Sequence, residues 1–454
     1  MRSEHPVGGE TREQWRSHRG FLLAAIGSAV GLGDIWRFPY VAGENGGGAF
    51  LLVYLLVVLV VGVPLLLAEF ALGRRMQSES ATAVARLVPA SRWRHAGLIG
   101  IVAAGLILAY YAVIAGWVFK YAALYLSASS RVLAPDGHAA LFQASVARPL
   151  EPLAWQLLGM ALTTAVIAKG VEKGIERVSV WLMPVLALLL VGLAVYSATL
   201  PGFGRGLAFL FQPDWAMLAR PELYLAALGQ TFFSIGLAMG VMVTYGSYQP
   251  ATRPLPGAAV TVSLADTMFG VIAGLVIFPA VFSFGLDPAQ GSGLTFVVLP
   301  RVFAQLPGGG LVGALFFLLL SIAALTSMVS LLEVTVAYAM QRWRWSRPRA
   351  SLWLGGLLFL LGIPASLGFG VLSGVTLAGG RTILDAMDFF AVELLLPLNG
   401  VLLAVLLGWL WPRHEAMEAA DLHASRLGRI WHFSLRYLVP ALLLVVLAGS
   451  LSRI

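Results

Sequence analysis

The 454-residue chain contains no cysteine. Disulfides and thiolate metal sites are therefore excluded. Charge is scarce as well: Asp, Glu, Lys and Arg make up 11% of residues, against roughly 25% in a typical soluble domain. The histidines (His5, His18, His95, His138, His414, His423 and His432) fall in tails or loops of the hydropathy pattern. They form no metal-ligand spacing, and no Ser/His/Asp set falls at one depth, so nothing points to an enzyme.

Apolar residues fill the gap. They make up 59% of the chain, and the mean hydropathy is +0.85. Crossing a bilayer takes about 20 apolar residues, and eleven runs qualify: 19–41, 47–73, 97–125, 153–170, 175–199, 222–248, 257–285, 309–341, 351–373, 385–411 and 432–452. The reading is an all-α polytopic membrane protein formed by one helical bundle over residues 1–454. The polar N-terminal tail, 1–18, lacks a cleavage site and does not read as a signal peptide.

The net charge of +8 is distributed by topology. Alternate loops hold Arg74, Arg75, Arg86, Arg92 and Arg94, then Lys169, Lys173 and Arg177, then Arg253. The same side takes Arg342, Arg344, Arg347 and Arg349, and finally Arg413, Arg426 and Arg429. With the tail, 20 Lys and Arg fall on that side and 7 in loops on the other. Such a bias marks the cytoplasmic side, so the N-terminus is expected inside and the C-terminus outside. Basicity here sets orientation and does not suggest nucleic acid as a partner.

Two of the eleven runs are defective as lipid-facing helices. The first contains Gly27-Ser28-Ala29-Val30-Gly31-Leu32-Gly33-Asp34-Ile35-Trp36-Arg37. It places three glycines beside a carboxylate and a guanidinium, groups that cost at least a few kcal/mol at bilayer depth. The sixth contains Gln230-Thr231-Phe232-Phe233-Ser234-Ile235-Gly236-Leu237-Ala238-Met239-Gly240. Small residues also serve ordinary helix packing. Interruptions at matching places in two halves instead point to a central binding site between discontinuous helices. Half-helix N-termini there suit a carboxylate, and half-helix C-termini and free carbonyls suit an ammonium or an alkali cation.

Long ordered motifs run from about residue 12 to 411. They are the first-span segment through Pro39-Tyr40, Glu44-Asn45-Gly46-Gly47-Gly48-Ala49-Phe50, Gly62-Val63-Pro64-Leu65 with Glu69 and Gly73, Gly174-Ile175-Glu176-Arg177 with Pro184, Ala323-Ala324-Leu325-Thr326-Ser327, and Met387-Asp388-Phe389. In these the chain resembles the neurotransmitter:sodium symporter family, and especially its bacterial LeuT-type amino-acid transporters. The resemblance implies a 5+5 inverted repeat, 19–199 and 222–411, with broken helices 1 and 6 and an extra helix at 432–452. It implies sodium-coupled import of an amino acid by alternating access in a bacterial inner membrane. A receptor or channel of the same fold is the rival reading.

Carried over residue by residue, the resemblance places one sodium at Gly27, Val30, Ala323, Thr326 and Ser327. A second cation site falls at Ala29, Asp34, Ser234 and a residue of the seventh helix. Counting from Pro279 gives Ala265 there, and a one-residue shift gives Asp266, which can ligate. The LeuT-type amide is replaced by Asp34, so two carboxylates would face a third from the substrate. A proton is held there, a further cation enters, or Asp34 is a plain carboxylate ligand for sodium. The substrate carboxylate is expected near Leu32, Gly33 and Tyr111, and its ammonium near carbonyls of Ala29, Phe233 and Ser234. Gly31 stands where monoamine carriers have an aspartate. Ser28, Ile107, Phe233, Gly236, Met239, Ser327 and Leu331 would line an uncharged side-chain subsite for a neutral, hydrophobic amino acid. Arg37 and Asp388 match an outer gate; Arg12, Trp15 and Tyr248 match an inner latch. Gln341 stands where the latch expects an acid, with Glu333 two turns earlier, which predicts an inward-open state that is easier to reach. Gly174 and Pro184 match a helix-5 motif at which unwinding would admit water to the inner sodium. Phe269 replaces the chloride-linked residue of relatives, so no chloride is expected.

Overall fold

The computed structural model describes residues 13–134, 137–286, 294–423 and 425–451. The latch residue Arg12 lies outside them. Regular structure among the described residues is helical, apart from two isolated bridges, Gly47 with Pro213 and Leu377 with Arg381.

Nine unbroken stretches among the described residues are long and apolar enough to cross a membrane. They are span 2 (Gly48–Met76), span 3 (Arg92–Leu126), span 4 (Leu150–Ile167), span 5 (Val171–Ser197), span 7 (Pro256–Ser283), span 8 (Gly309–Trp343), span 9 (Arg347–Leu367), span 10 (Ile383–Leu410) and span 11 (Arg426–Leu451). Two interrupted ones complete eleven. Span 1 is His18–Ala29 followed by Gly33–Glu44, bent by 46°. Span 6 is Pro221–Ile235 followed by Val241–Ser247.

Each break has a local cause. Span 1 opens on Ser17, whose hydroxyl accepts from the Gly20 N–H, and its first half stops where Val30 turns extended. In span 6 the chain enters the left-handed region at Gly236 (φ 72°), Ala238 (φ 61°) and Gly240 (φ 74°). Two of these are glycine, which accepts that geometry without strain. The freed peptide groups of Ala238 are caught from outside: its N–H donates to Glu69 Oε1 at 2.7 Å, and its carbonyl accepts from Asn399 Nδ2 at 2.6 Å. Buried unpaired peptide groups are expensive in lipid, so spans 2 and 10 fix the shape of the unwound stretch.

The outer faces are apolar: Leu55, Leu56 and Leu59 on span 2, Trp181 and Leu188 on span 5, and Leu352, Trp353 and Leu360 on span 9 are all exposed. Inside, Asp34, Glu69, Asp266 and Glu333 are completely buried. Apolar outside and carboxylates inside is the arrangement of a membrane bundle built around polar work. Spans 3 and 8, the longest helices, pack on each other, and span 8 also packs on the first half of span 1 and the second half of span 6. Histidines read as lying in tails or loops stand on span helices, the first being His18, which opens span 1. The span 11 helix begins at Arg426, so His432 sits inside it and is buried rather than in a loop.

Candidate functional site

The two breaks meet at mid-bundle. A cavity there is lined from span 1 by Ser28, Ala29, Gly31 and Gly33, from span 3 by Ile107 and Tyr111, from span 6 by Phe233, Gly236, Met239 and Val241, and from span 8 by Ser327 and Leu331. This brings together the predicted subsite; Val241 was missed, being one more apolar residue in an apolar run. Leu32 sits at the rim, where its N–H donates to the Tyr111 hydroxyl at 3.1 Å. Gly31 has a steric reason: a Cβ there would crowd Ser327 Oγ and lie 3.2 Å from the Tyr111 hydroxyl.

Asp34 sits beside it, one residue after Gly33, with no exposure. Its Oδ2 accepts from the Gly31 N–H at 3.1 Å, closing the broken turn upon itself. The Ser234 hydroxyl bonds to Asp34 Oδ1 and lies 3.0 and 2.9 Å from the two oxygens of Asp266. Asp266 also accepts from Tyr54 at 3.2 Å. Of the two candidates on span 7, it is therefore Asp266 that faces the break, while Ala265 is only half-buried. Gln230 Nε2 donates to the Gly33 carbonyl at 2.9 Å, tying span 6 to the broken turn of span 1. One hydroxyl proton cannot serve two carboxylates, so this corner suits a cation or a proton.

The other predicted cation residues converge from spans 1 and 8. A Cβ on Gly27 would stand 3.5 Å from Thr326 Cβ, so spans 1 and 8 touch there. Thr326 Oγ1 donates back along its own helix to the carbonyls of Ala323 (3.0 Å) and Ile322 (3.1 Å). Its lone pairs remain for a cation.

Above the cavity, Tyr111 and Phe233 separate it from a vestibule of about 470 Å³ that is also lined by Arg37, Tyr110 and Asp388. Arg37 lies over the Phe233 ring at 4.7 Å, while Asp388 accepts from Tyr110 at 2.7 Å. No ion pair joins Arg37 to Asp388 among the described residues, although both face the same space.

Below, Trp15 is buried, donating from Nε1 to the Tyr245 carbonyl at 2.9 Å and from its backbone to the Tyr248 carbonyl at 3.1 Å. The Tyr248 hydroxyl donates to Glu333 at 2.5 Å, and Arg347 grips Glu333 at 2.6 and 3.0 Å. Arg347 also bridges to Glu13 at 2.8 Å. Glu176 accepts from Arg16 N (2.7 Å), Ser17 N (3.1 Å) and Ser17 Oγ (2.8 Å). The inner side thus has an acid at Glu333, two turns before Gln341, bonded to both Tyr248 and Arg347. Arg347, Glu13 and Asn399 were missed by sequence reasoning, and Glu176 was noted only as part of a motif. Gly174 lies in a π turn, Val171–Glu176, that opens span 5 without breaking it. Phe269 is partly buried in apolar packing.

A bundle with two discontinuous spans and a mid-depth cavity between their breaks has the architecture of a membrane transporter. The chain belongs to the sodium:neurotransmitter symporter family, whose profile matches residues 12–133 and 142–454. An uncharacterized sodium-dependent transporter of Bacillus subtilis (strain 168), YhdH, is 43% identical, covering 97% of this chain and 98% of its own. An uncharacterized sodium-dependent transporter of Methanocaldococcus jannaschii is 32% identical, covering 98% and 91%. The crystal structure of MhsT in complex with L-phenylalanine is 50% identical, with a TM-score of 0.91 over 97% of this chain and 100% of that one. The fold is thus the LeuT-like one, and the protein is a sodium-dependent transporter.

Proposed function

We propose that the chain imports a neutral, hydrophobic amino acid together with sodium by alternating access. The observation that carries the reading is the lining of the cavity between the breaks: small and apolar side chains with two hydroxyl groups besides that of Tyr111, and no charged one. An acidic or basic substrate side chain would lose several kcal/mol on desolvation there. Gly236 leaves space and Met239 adapts to shape, which favours a large side chain such as Leu, Met or an aromatic. The phenylalanine in the MhsT complex supports the same class.

The substrate carboxylate would lie at the Leu32–Gly33 turn beside Tyr111, and the ammonium would face carbonyls of Ala29, Phe233 and Ser234. One sodium would bind between Gly27, Val30, Ala323, Thr326 and Ser327. A second cation would bind at Ala29, Asp34, Ser234 and Asp266. With Asp266 on the ion corner and phenylalanine at 269, chloride has no assigned place. Arg37 with Asp388 would close the outer path, and Trp15 with Tyr248 the inner one. In a bacterial plasma membrane, the excess of Lys and Arg on alternate loops supports a cytoplasmic N-terminus and an outside C-terminus. Residues 19–199 and 222–411 would act as the two repeats, and span 11 as an addition to them.

Uptake of labelled amino acids into proteoliposomes under an imposed sodium gradient tests this. Leu, Met and Phe should compete with the transported amino acid, and Asp, Glu and Lys should not; the reverse pattern overturns the substrate class. Binding without sodium-driven accumulation would indicate a receptor, and flux without fixed stoichiometry a channel. The paired carboxylates favour one second reading, in which a proton takes the place of a cation at Asp34.

A further inference from the structure

The N-terminal end of span 5 carries a groove that the transport reading leaves unused. Its volume is about 700 Å³, and Lys169, Lys173, Gly174, Arg177, Trp181 and Leu325 are among the residues that line it. The three cations are exposed, and none has a carboxylate within 4 Å among the described residues. The acids of the same turn look elsewhere. Glu172 leans toward Arg16 at 3.9 Å, and Glu176 is turned inward onto Arg16 and Ser17.

Lys169 stands in the turn before span 5, Lys173 in its opening π turn, and Arg177 and Trp181 one turn apart on the α-helix that follows, so that all four line the groove. Trp181 is 72% exposed, about one turn beyond Arg177, and the face continues as Val185 and Leu188, 42% and 73% exposed. Cations, then an indole, then aliphatic side chains is the order in which a bilayer presents phosphate, interface and acyl chain.

We propose that this groove binds an anionic phospholipid, with its phosphate on Lys169, Lys173 and Arg177 and an acyl chain along Trp181, Val185 and Leu188. A soluble phosphate would satisfy the cations but leave the tryptophan and the apolar stripe uncovered, so the lipid is the occupant that matches both ends. The groove lies on the outside of the same π turn whose inner side, through Glu176, holds the N-terminal segment. The bound headgroup would therefore touch the turn on which the inner latch rests.

The test reconstitutes the full chain into phosphatidylcholine vesicles containing a minor share of either dibrominated phosphatidylglycerol or dibrominated phosphatidylcholine, and reads tryptophan fluorescence. Trp181→Phe identifies the share of the signal that belongs to the groove. Brominated phosphatidylglycerol should quench that share more strongly than brominated phosphatidylcholine. A cation at the surface is worth on the order of fivefold in affinity for an anionic headgroup. Lys169→Gln/Lys173→Gln/Arg177→Gln should therefore lower the preference by on the order of tenfold or more. Lys169→Arg/Lys173→Arg should keep it, which separates loss of charge from loss of folding. Equal quenching by the two lipids in the parent, or a preference that survives neutralisation, overturns the proposal. Abolition of the preference by millimolar inorganic phosphate would reassign the groove to a soluble anion and overturn it too.

Discussion

Asp34 of the first span and Asp266 of the seventh meet across a single hydroxyl, that of Ser234 on the sixth. Three spans are joined at one point, two of them the broken ones. Two ionised carboxylates at this separation repel strongly in a buried site, and Ser234 has one proton to offer. Whatever neutralises the pair also holds the three spans together, which links ion binding to the shape of the central cavity.

The first prediction follows from that corner. In Asp34→Asn one negative charge of the pair is gone, so a single sodium balances Asp266 and no proton is required between the two side chains. Sodium-driven uptake by the parent should differ severalfold between pH 6 and pH 8.5, and uptake by Asp34→Asn should be nearly flat across the same range. Equal rates at both pH values in both proteins would exclude a proton at this corner and leave a cation-only site.

A second prediction concerns Tyr111, whose hydroxyl accepts from the Leu32 N–H beside the expected carboxylate position. Hydrogen bonds to charged groups are worth about 1.5–3 kcal/mol. Tyr111→Phe should accordingly raise the substrate KM about tenfold or more, leaving the folded population unchanged. Gly31→Ala should abolish uptake outright, because the added Cβ would displace Ser327 and crowd Tyr111. Dose–response curves for uptake, with thermal unfolding as a control, check both variants.

Much of this arrangement was legible in the sequence because membranes make exceptions conspicuous. Three glycines and an aspartate in an apolar run have no cheap explanation in lipid, so the breaks of spans 1 and 6 could be read directly. Asp266 was harder. On an unbroken helix, positions 265 and 266 differ by about 100° of rotation, and counting along the chain cannot say which faces Ser234. Arg347 was hidden for another reason. It belongs to a run with Arg342, Arg344 and Arg349, and such runs report topology, yet this member turns inward onto Glu333. Glu176 shows a third limit. Its partners are mostly backbone N–H groups, which leave no mark in the order of side chains.

The buried Glu333–Arg347 pair supports a third prediction. Removing one partner of a buried ion pair costs about 3–5 kcal/mol, and Arg347 would keep only the partly exposed Glu13 as an acidic partner. Glu333→Gln should therefore lower the melting temperature markedly and loosen Tyr248, which donates to the same carboxylate. The double variant Glu333→Gln/Arg347→Met removes both charges and should recover a large part of the loss. Thermal unfolding in detergent measures both. A double variant as unstable as the single one would mean that the pair contributes little beyond packing.

Trp15 gives the last prediction. It is buried and ties the N-terminal segment to both Tyr245 and Tyr248 at the inner end of span 6. Glu176 fastens the following residues to span 5. If this is the inner barrier, loosening it should expose the path between the cavity and the cytoplasm. Truncating a buried Trp to Ala costs about 3–5 kcal/mol, enough to shift an equilibrium between closed and open states by a large factor. The absence of native cysteine makes a direct measurement possible. In Ser330→Cys, a buried position on span 8, labelling by a water-soluble maleimide should be slow with Trp15 intact and at least about tenfold faster in Trp15→Ala. Sodium should slow it by favouring the outward-facing state. Glu176→Gln should give an intermediate rate, because the backbone donors of Arg16 and Ser17 lose a charged acceptor but retain an amide oxygen. Labelling that is equally slow in all three would place the inner barrier elsewhere, on the Glu333–Arg347 pair alone.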